Sequence, residues 1–303
     1  MKRRDFIQQA SIGTALVTLG SIGLQSFTTS VNTKKITVLH TNDVHSHIDP
    51  FEDGKYAHKG GVSRRASLIE SIRKESPNTL LLDAGDIFQG TPYFNFYGGE
   101  LEFKLMSKLK YDAATIGNHD FDNGIDGLYA QLPHADFEFI TSNYDFSNTI
   151  LYTHTKPYKI FTKDGIKIGV FGLGIELNGL VLPELSKETK YLDPIEITQD
   201  MTRILKEEEQ CDLIICLSHL GYYENNNPDK ISDLSLAAAT KDIDLIIGGH
   251  SHTFLAKPTV VKNIEGKNML INQVGCFGIN LGRIDFYFDS NNEKSANGTS
   301  IVV

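Results

Sequence analysis

Ile36-Thr37-Val38-Leu39-His40-Thr41-Asn42-Asp43-Val44-His45 reads as a buried strand that ends in a carboxylate and an imidazole two residues apart. Branched apolar residues suit a strand, and the polar stretch after them closes it. Four more stretches repeat the plan. Thr79-Leu80-Leu81-Leu82-Asp83 leads into Ala84-Gly85-Asp86, and Asp112 to Ile116 leads into Gly117-Asn118-His119-Asp120. Leu213 to Leu217 leads into Ser218-His219, and Asp244 to Ile247 leads into Gly248-Gly249-His250-Ser251-His252. Oxygen and imidazole donors spread from residue 43 to residue 252, each placed after a strand, build one site from many loops.

Helical patterns alternate with these strands. Gly60-Gly61 opens a helix through Arg73, and Glu100 to Leu109 forms another. After Asp193-Pro194, residues Ile197, Met201, Ile204 and Leu205 share one helical face, and a further helix covers Ile231 to Thr240. Glu138 to Ser142 adds a strand. Lys163-Asp164-Gly165, between Tyr158–Phe161 and Ile166–Leu173, marks a hairpin. The C-terminal part is strand-rich, over Thr259–Ile264, Asn268–Val274 and Arg283–Phe288. No repeat or low-complexity linker divides the chain. The expected fold is one α/β (α+β) domain of two packed mixed sheets with helices outside. Residues 36–289 are expected to form it, with an export signal at 1–30, a linker at 31–35 and a polar tail at 290–303.

The export signal rests on Lys2-Arg3-Arg4-Asp5-Phe6-Ile7 followed by a weakly apolar run from Ala10 to Leu24. That run is short for a bilayer-spanning helix, which needs about 20 residues. The Arg-Arg-x-Phe-Ile pattern resembles a bacterial twin-arginine signal and implies a periplasmic or otherwise exported protein. The alternative is an N-terminal anchor helix; beyond it no stable membrane span is expected. A net charge of -9 argues against a nucleic-acid partner, which needs a basic face. The three cysteines cannot all pair within one chain, and none forms a Cys-x-x-Cys motif, so structural zinc and thiol catalysis are poor readings. Cys216 lies inside an apolar strand and is expected to pack as a small apolar residue.

The donors suit divalent cations that activate water. In an extended segment Asp43 and His45 would point the same way and reach one ion. His250 and His252 share that spacing. Asp86 sits beside Gly85, where the chain can turn sharply. Asn118 offers a neutral oxygen, and the adjacent His119 would be left free for substrate. Any one of these alone reads equally well as a turn residue or a strand-end histidine with local bonds. The ordered set does not.

The order Asp-x-His, Gly-Asp, Gly-Asn-His-Asp, Ser-His, Gly-His-x-His resembles the calcineurin-like metallophosphoesterases. The strings Leu39 to His45, Gly85-Asp86-Ile87-Phe88-Gln89-Gly90-Thr91-Pro92, Gly117 to Asp122 and Gly249 to Thr253 resemble its bacterial 5'-nucleotidase/UDP-sugar hydrolase branch, over about Ile36 to Phe288. The resemblance implies a four-layer αββα sandwich. It implies two divalent ions drawn from zinc, manganese, iron or cobalt, whose identity the ligands do not fix. Asp43, His45 and His252 would hold the first, Asn118, His219 and His250 the second, and Asp86 would bridge them. It further implies attack of a bridging hydroxide on a phosphate monoester. Asn118 and His119 would contact the phosphate, and Asp122 would orient His119. Asp120 stands where the branch more often has Glu, a change expected to touch only the outer surroundings.

The substrate expected from this resemblance is a small phosphate ester, a 5'-nucleotide in nucleotide catabolism. A cyclic-nucleotide or nucleotide-sugar phosphodiesterase or pyrophosphatase is the alternative, and a sulfur-ester hydrolase or a non-catalytic metal-binding subunit are further rivals. Nucleotidases of the branch carry a C-terminal domain that holds the nucleoside. A separate protein of that kind, or a second copy of the chain, is therefore an expected partner. The aromatic stretch Tyr93-Phe94-Asn95-Phe96-Tyr97 reads as core and loop packing, with a base platform as the alternative.

Overall fold

The computed structural model describes residues 33–223, 230–291 and 293–303. The expected export signal at 1–30 lies outside them. In the first sheet, β1 (Lys34–Thr41) runs parallel to β2 (Thr79–Asp83), and β2 to β3 (Ala113–Ala114) and β4 (Glu138–Phe139) in turn. On its other side β1 pairs antiparallel with β13 (Asn280–Phe288), and β13 with β14 (Lys294–Val302). In the second sheet β7 (Ile166–Leu173), β9 (Leu213–Ser218), β10 (Leu245–Gly248) and β12 (Asn268–Asn272) lie parallel, side by side. The antiparallel edges are β6 (Tyr158–Lys163) and β11 (Thr259–Lys262). β5 (Tyr144–Asp145) and β8 (Lys190–Tyr191) form a separate pair.

All five residues of β2 are buried, which explains why its sequence is a continuous apolar run rather than an alternating one. Leu80 and Leu82, with Val38 of the neighbouring strand β1, face the other sheet, where they meet Val170, Ile215 and Ile247. Leu81 faces the opposite way, into a layer built with Ile69 and Ile72 of α1 (Val62–Glu75), Phe103 and Met106 of α3 (Glu100–Leu109) and Ile125 of α4 (Gly124–Gln131). A third layer packs Phe171, Ile214 and Ile246 of the second sheet beneath Met201 of α6 (Pro194–Arg203) and Leu236 of α7 (Asp233–Ala239). Three apolar layers separate four layers of secondary structure, as the αββα expectation requires. Each such fully buried side chain contributes about 1.5–3 kcal/mol. Cys216 is a buried member of the third layer, and all three cysteines are free.

Local chemistry fixes the turns. Lys163 pairs with Ile166, so Asp164-Gly165 is a two-residue hairpin loop with φ of 50° and 74°. That is the left-handed pair a type I′ turn demands. Asp193 caps α6, accepting from the amides of Ile195 and Glu196 at 2.8 and 2.9 Å, and Pro194 occupies the first helical position.

Three expectations need correction. Residues 290–303 are not a tail outside the domain: residues 294–302 form β14, paired along its whole length with β13. Main-chain hydrogen bonds need no apolar side chains, and an edge strand with one wet face reads as polar sequence. The pairing is anchored where Ile301 and Val303 pack on the layer of Leu81, Ile69 and Phe103, and the Val303 carbonyl accepts from Gly60 N at 2.9 Å. The linker ends earlier than expected, because β1 already begins at Lys34. The aromatic stretch forms a short helix, α2 (Pro92–Tyr97), with no fully buried residue, and only Phe94 of its large aromatics packs against the core. Phe94 leans on Phe88 at 5.3 Å, while Phe96 is 84% exposed and Tyr97 53%. α5 (Pro183–Ser186) completes the α-helices among the described residues.

Candidate metal centre

The parallel strands of both sheets end on one side, and the loops that follow them carry every candidate ligand. β1 leads to Asp43 and His45, β2 to Asp86, and β3 to Asn118 and His119. β9 leads to His219, and β10 to His250 and His252. These residues meet as two groups. Asp43, His45 and His252 offer ligand atoms within 4.8 Å of one another, and so do Asp86, His219 and His250. Asp86 Oδ2 lies 3.0 Å from His219 Nε2 and 3.8 Å from His45 Nε2, between the groups. Asn118 Oδ1 lies 2.9 Å from His250 Nδ1.

These side chains converge, but not through the extended geometry expected of an i, i+2 pair. Asp43 and His45 lie beyond the end of β1, with φ of 50° and 49°, so strand alternation does not align them. Asp86, His250 and His252 are also left-handed, at 55°, 68° and 52°. Such a conformation costs a non-glycine residue about 1–3 kcal/mol and collects at functional sites. Glycine allows the close approach where no side chain would fit. A Cβ on Gly85 would lie 2.7 Å from Gly117 N and 2.9 Å from His219 Nδ1.

The donor set fits cations. His219 Nδ1 bonds the Ala84 carbonyl at 2.7 Å, so in the neutral ring Nε2 would turn a lone pair toward Asp86. That buried nitrogen has no hydrogen-bond geometry to any partner. Only a proton or a metal ion relieves the repulsion. Burial alone would lower the His219 pKa, yet Asp86 and Asp43 drive it up to about 10. His252 is likewise driven up to about 10 against its burial, by Asp43 and Cys276. Burial lowers His45, and burial with the neighbouring His219 takes His250 down to about 4. His45 Nε2 and His252 Nε2 face each other at 3.0 Å, a contact made when one ring donates to the other or when both turn lone pairs to a shared cation. Asp86, despite its burial, is held below the usual carboxylate range by His219.

His119 stands apart from both groups. Its Nδ1 lies 2.8 Å from Asp122 Oδ2, and this bond raises its pKa against partial burial. Nε2 is then the atom free to meet a ligand. The His119 amide donates to Asp86 Oδ1 at 2.8 Å, tying the two loops together.

Asp120 is more than outer surroundings. It is fully buried and accepts from the amides of Gly117, Asp86, Ile87 and Phe88 at 2.8–3.1 Å. One carboxylate thus shapes both the Asp86 and the Asn118 loops. Its place three residues after Gly117, in a turn, is the sequence trace of that role. Gln273 was not expected at all. Its amide donates to the Gly249 carbonyl at 2.6 Å and its oxygen accepts from Ser251 Oγ at 3.1 Å, holding the loop that carries His250 and His252. Asn42 donates to Asp43 Oδ2 at 2.6 Å and to the Gly275 carbonyl at 2.7 Å.

A four-layer sandwich with carboxylate, imidazole and carboxamide donors at the strand ends defines a metallophosphoesterase. The chain belongs to the calcineurin-like phosphoesterase family, whose sequence profile matches residues 36–254. It is 34% identical over 286 residues to the trifunctional nucleotide phosphoesterase of Bacillus subtilis, covering 84% of this chain and 18% of that protein. It is 37% identical over 241 residues to a 5'-nucleotidase of Vibrio parahaemolyticus, covering 76% of this chain and 42% of that protein. The crystal structure of a 5'-nucleotidase precursor from Thermus thermophilus superposes with a TM-score of 0.81 at 34% identity, covering 89% of this chain and 55% of that one. The chain spans about half the length, or less, of the curated relatives it matches.

Proposed function

We propose that the chain is a two-metal hydrolase of phosphate monoesters, acting on 5'-nucleotides. The observation that carries this reading is that Asp86, a member of one His/Asp group, also lies 3.8 Å from His45 of the other. Asp43, His45 and His252 would hold one ion; Asn118, His219 and His250 would hold the other, with Asp86 shared. Divalent ions at such a site activate water and neutralise phosphate charge. Around them, the chain's own residues divide the work. Asn118 and His119 contact the phosphate. His119, oriented and kept protonated by Asp122, donates from Nε2 to the leaving oxygen. Asp120 and Gln273 keep the ligand loops in place.

A second reading, cleavage of nucleotide diesters or pyrophosphates, is favoured by the similarity to a protein named a trifunctional nucleotide phosphoesterase. A panel of AMP, a cyclic nucleotide, UDP-glucose and p-nitrophenyl phosphate, assayed with added manganese, tests both. AMP turnover well above the diesters supports the first reading, and the reverse order supports the second. Export belongs to the same proposal and rests on Arg3-Arg4-x-Phe6-Ile7. Among the described residues no helix is long and apolar enough to cross a membrane. A reporter fused behind residues 1–32 should be exported by normal cells and retained by cells lacking twin-arginine translocation.

A further inference from the structure

Beneath the loop that carries Asp43 and His45 lies a small chamber between α1 and α3. Ser46, His47, Arg65, Asp83, Glu102 and Tyr111 supply its polar lining. Arg65 is 4% exposed and Glu102 5%, so both charges are well removed from solvent. Among the described residues Arg65 Nε and Nη1 have no hydrogen-bond partner, and neither has Glu102 Oε2. Two residues of opposite charge, each with unpartnered buried polar atoms, thus line one cavity. Groups of that kind are costly to leave unsatisfied. The guanidinium packs closely on Gly278, where a Cβ would lie 2.1 Å from Nη1. The chamber offers ≈ 20 Å³ to the centres of water molecules, and roughly 10–15 Å³ of such space accommodates one water.

The other carboxyl oxygen of Glu102 reaches the metal loop. Oε1 accepts from Ser46 Oγ. Ser46 directly follows His45 and is itself left-handed, with φ of 56°. Its amide donates to the Ile87 carbonyl at 2.9 Å, and its carbonyl accepts from Thr91 Oγ1 at 3.0 Å. The strained turn that aims Asp43 and His45 is therefore tied down through Ser46, and Ser46 is tied to the chamber through Glu102.

We propose that the chamber binds an ordered water joining Arg65 to Glu102, and that Arg65, this water and Glu102 together position the 43–46 loop for the metal group Asp43, His45 and His252. The water accepts from the guanidinium and donates to Glu102 Oε2. Oε1 is then left to hold Ser46. Arg65 and Glu102 are positioning residues, since neither touches the ion or the substrate. The inference rests on the two-metal reading for its binding arm only.

The test has two arms. Chelated full-length protein is titrated with cobalt(II) while two binding steps are resolved by absorbance, and His252→Ala identifies the step belonging to its group. Glu102→Gln should weaken that step about tenfold and leave the other within about twofold. Ser46→Ala, which cuts the link at a smaller side chain, should weaken the same step and serves if Glu102→Gln does not fold. Equal weakening of both steps, or of neither, would overturn the positioning role. A crystal structure of the chelated wild type at a resolution that shows ordered waters should place one within hydrogen-bond reach of Arg65 and Glu102. An empty chamber, or a direct Arg65–Glu102 pair, would overturn the water. A wild-type chain that takes up no cobalt would count against the two-metal reading and against the loop's role, while the crystallographic arm would still decide on the water.

Discussion

His119 and Asp86 divide the chemistry at the level of single side chains. Asp86 lies between the two His/Asp groups, so Asp86→Asn should lower occupancy of both ions, measured by elemental analysis after dialysis, whereas Asp43→Asn should chiefly lower one. His119 belongs to neither group and is bonded to Asp122. His119→Ala should therefore keep both ions and lower turnover of AMP by roughly 10²–10⁴-fold, the range for a general acid. The loss should be smaller for p-nitrophenyl phosphate, whose leaving group needs less protonation. Equal losses would assign His119 to phosphate binding instead. His40 gives a pH prediction away from the ligands. It is fully buried between the sheets, with Nε2 2.8 Å from Asn272 Nδ2, and burial takes its pKa down to about 3. The unfolded chain takes up this proton near pH 6.5 and the fold does not, so the unfolded state binds more protons between pH 6.5 and 3. Stability falls as pH drops through that window, by up to about 1.4 kcal/mol per unit from this one group. His40→Gln should flatten that part of the acid limb in thermal midpoints taken at pH 7, 6, 5 and 4, with chelator present throughout. An unchanged slope would mean that His40 does not titrate on unfolding.

At the scale of elements, β14 carries the sharpest expectation. As a polar tail, residues 290–303 could be removed at no cost. As an edge strand they cannot. Deleting them strips β13 of a nine-residue ladder and removes the packing of Ile301 and Val303. Hydrogen bonds worth about 0.5–1.5 kcal/mol each and an exposed β13 edge should lower the melting temperature by several degrees and promote association, read by thermal unfolding and size-exclusion chromatography. An unchanged melting temperature would return these residues to the role of a tail. The same element shows where sequence reading runs out. β2, β7, β9 and β10 were legible because strands buried on both faces are continuous apolar runs. The hairpin was legible because Asp164-Gly165 suits a left-handed turn. β14 was not, because its stability comes from the backbone and from one apolar end. The candidate ligands were legible as residue types after strands. The left-handed turns that make Asp43, His45, His250 and His252 converge were not, since nothing in those side chains announces a positive φ. Asp120, Gln273 and the Arg65–Glu102 chamber stayed hidden for a further reason: their partners are backbone amides and carbonyls, or groups far away in sequence.

At the scale of the whole domain, the two large sheets bring together the strand ends that carry the candidate ligands. Asp43, Asp86 and Asn118 come from the first sheet, and His219, His250 and His252 from the second, so each proposed ion is held by both. Between the sheets lies mostly apolar packing, with His40 and Asn272 as a buried polar contact across it. Ions that bind this arrangement and not the unfolded chain must stabilise it by mass action, by about 1.4 kcal/mol for each tenfold rise in free metal above the dissociation constant. For a domain of this size about 1 kcal/mol moves the melting temperature by roughly 2–4 °C. Titrating manganese into chelated protein should therefore raise the midpoint steadily, at about 3–6 °C per decade of free metal for each ion bound. Two ions should give the steeper, doubled slope once both sites are filling. His252→Ala should remove one component and keep the other, while Asp86→Asn should remove most of both. A midpoint insensitive to metal in the wild type would mean that the ligand side chains, close as they are, do not join the sheets through ions, and the two-metal reading would fall with it.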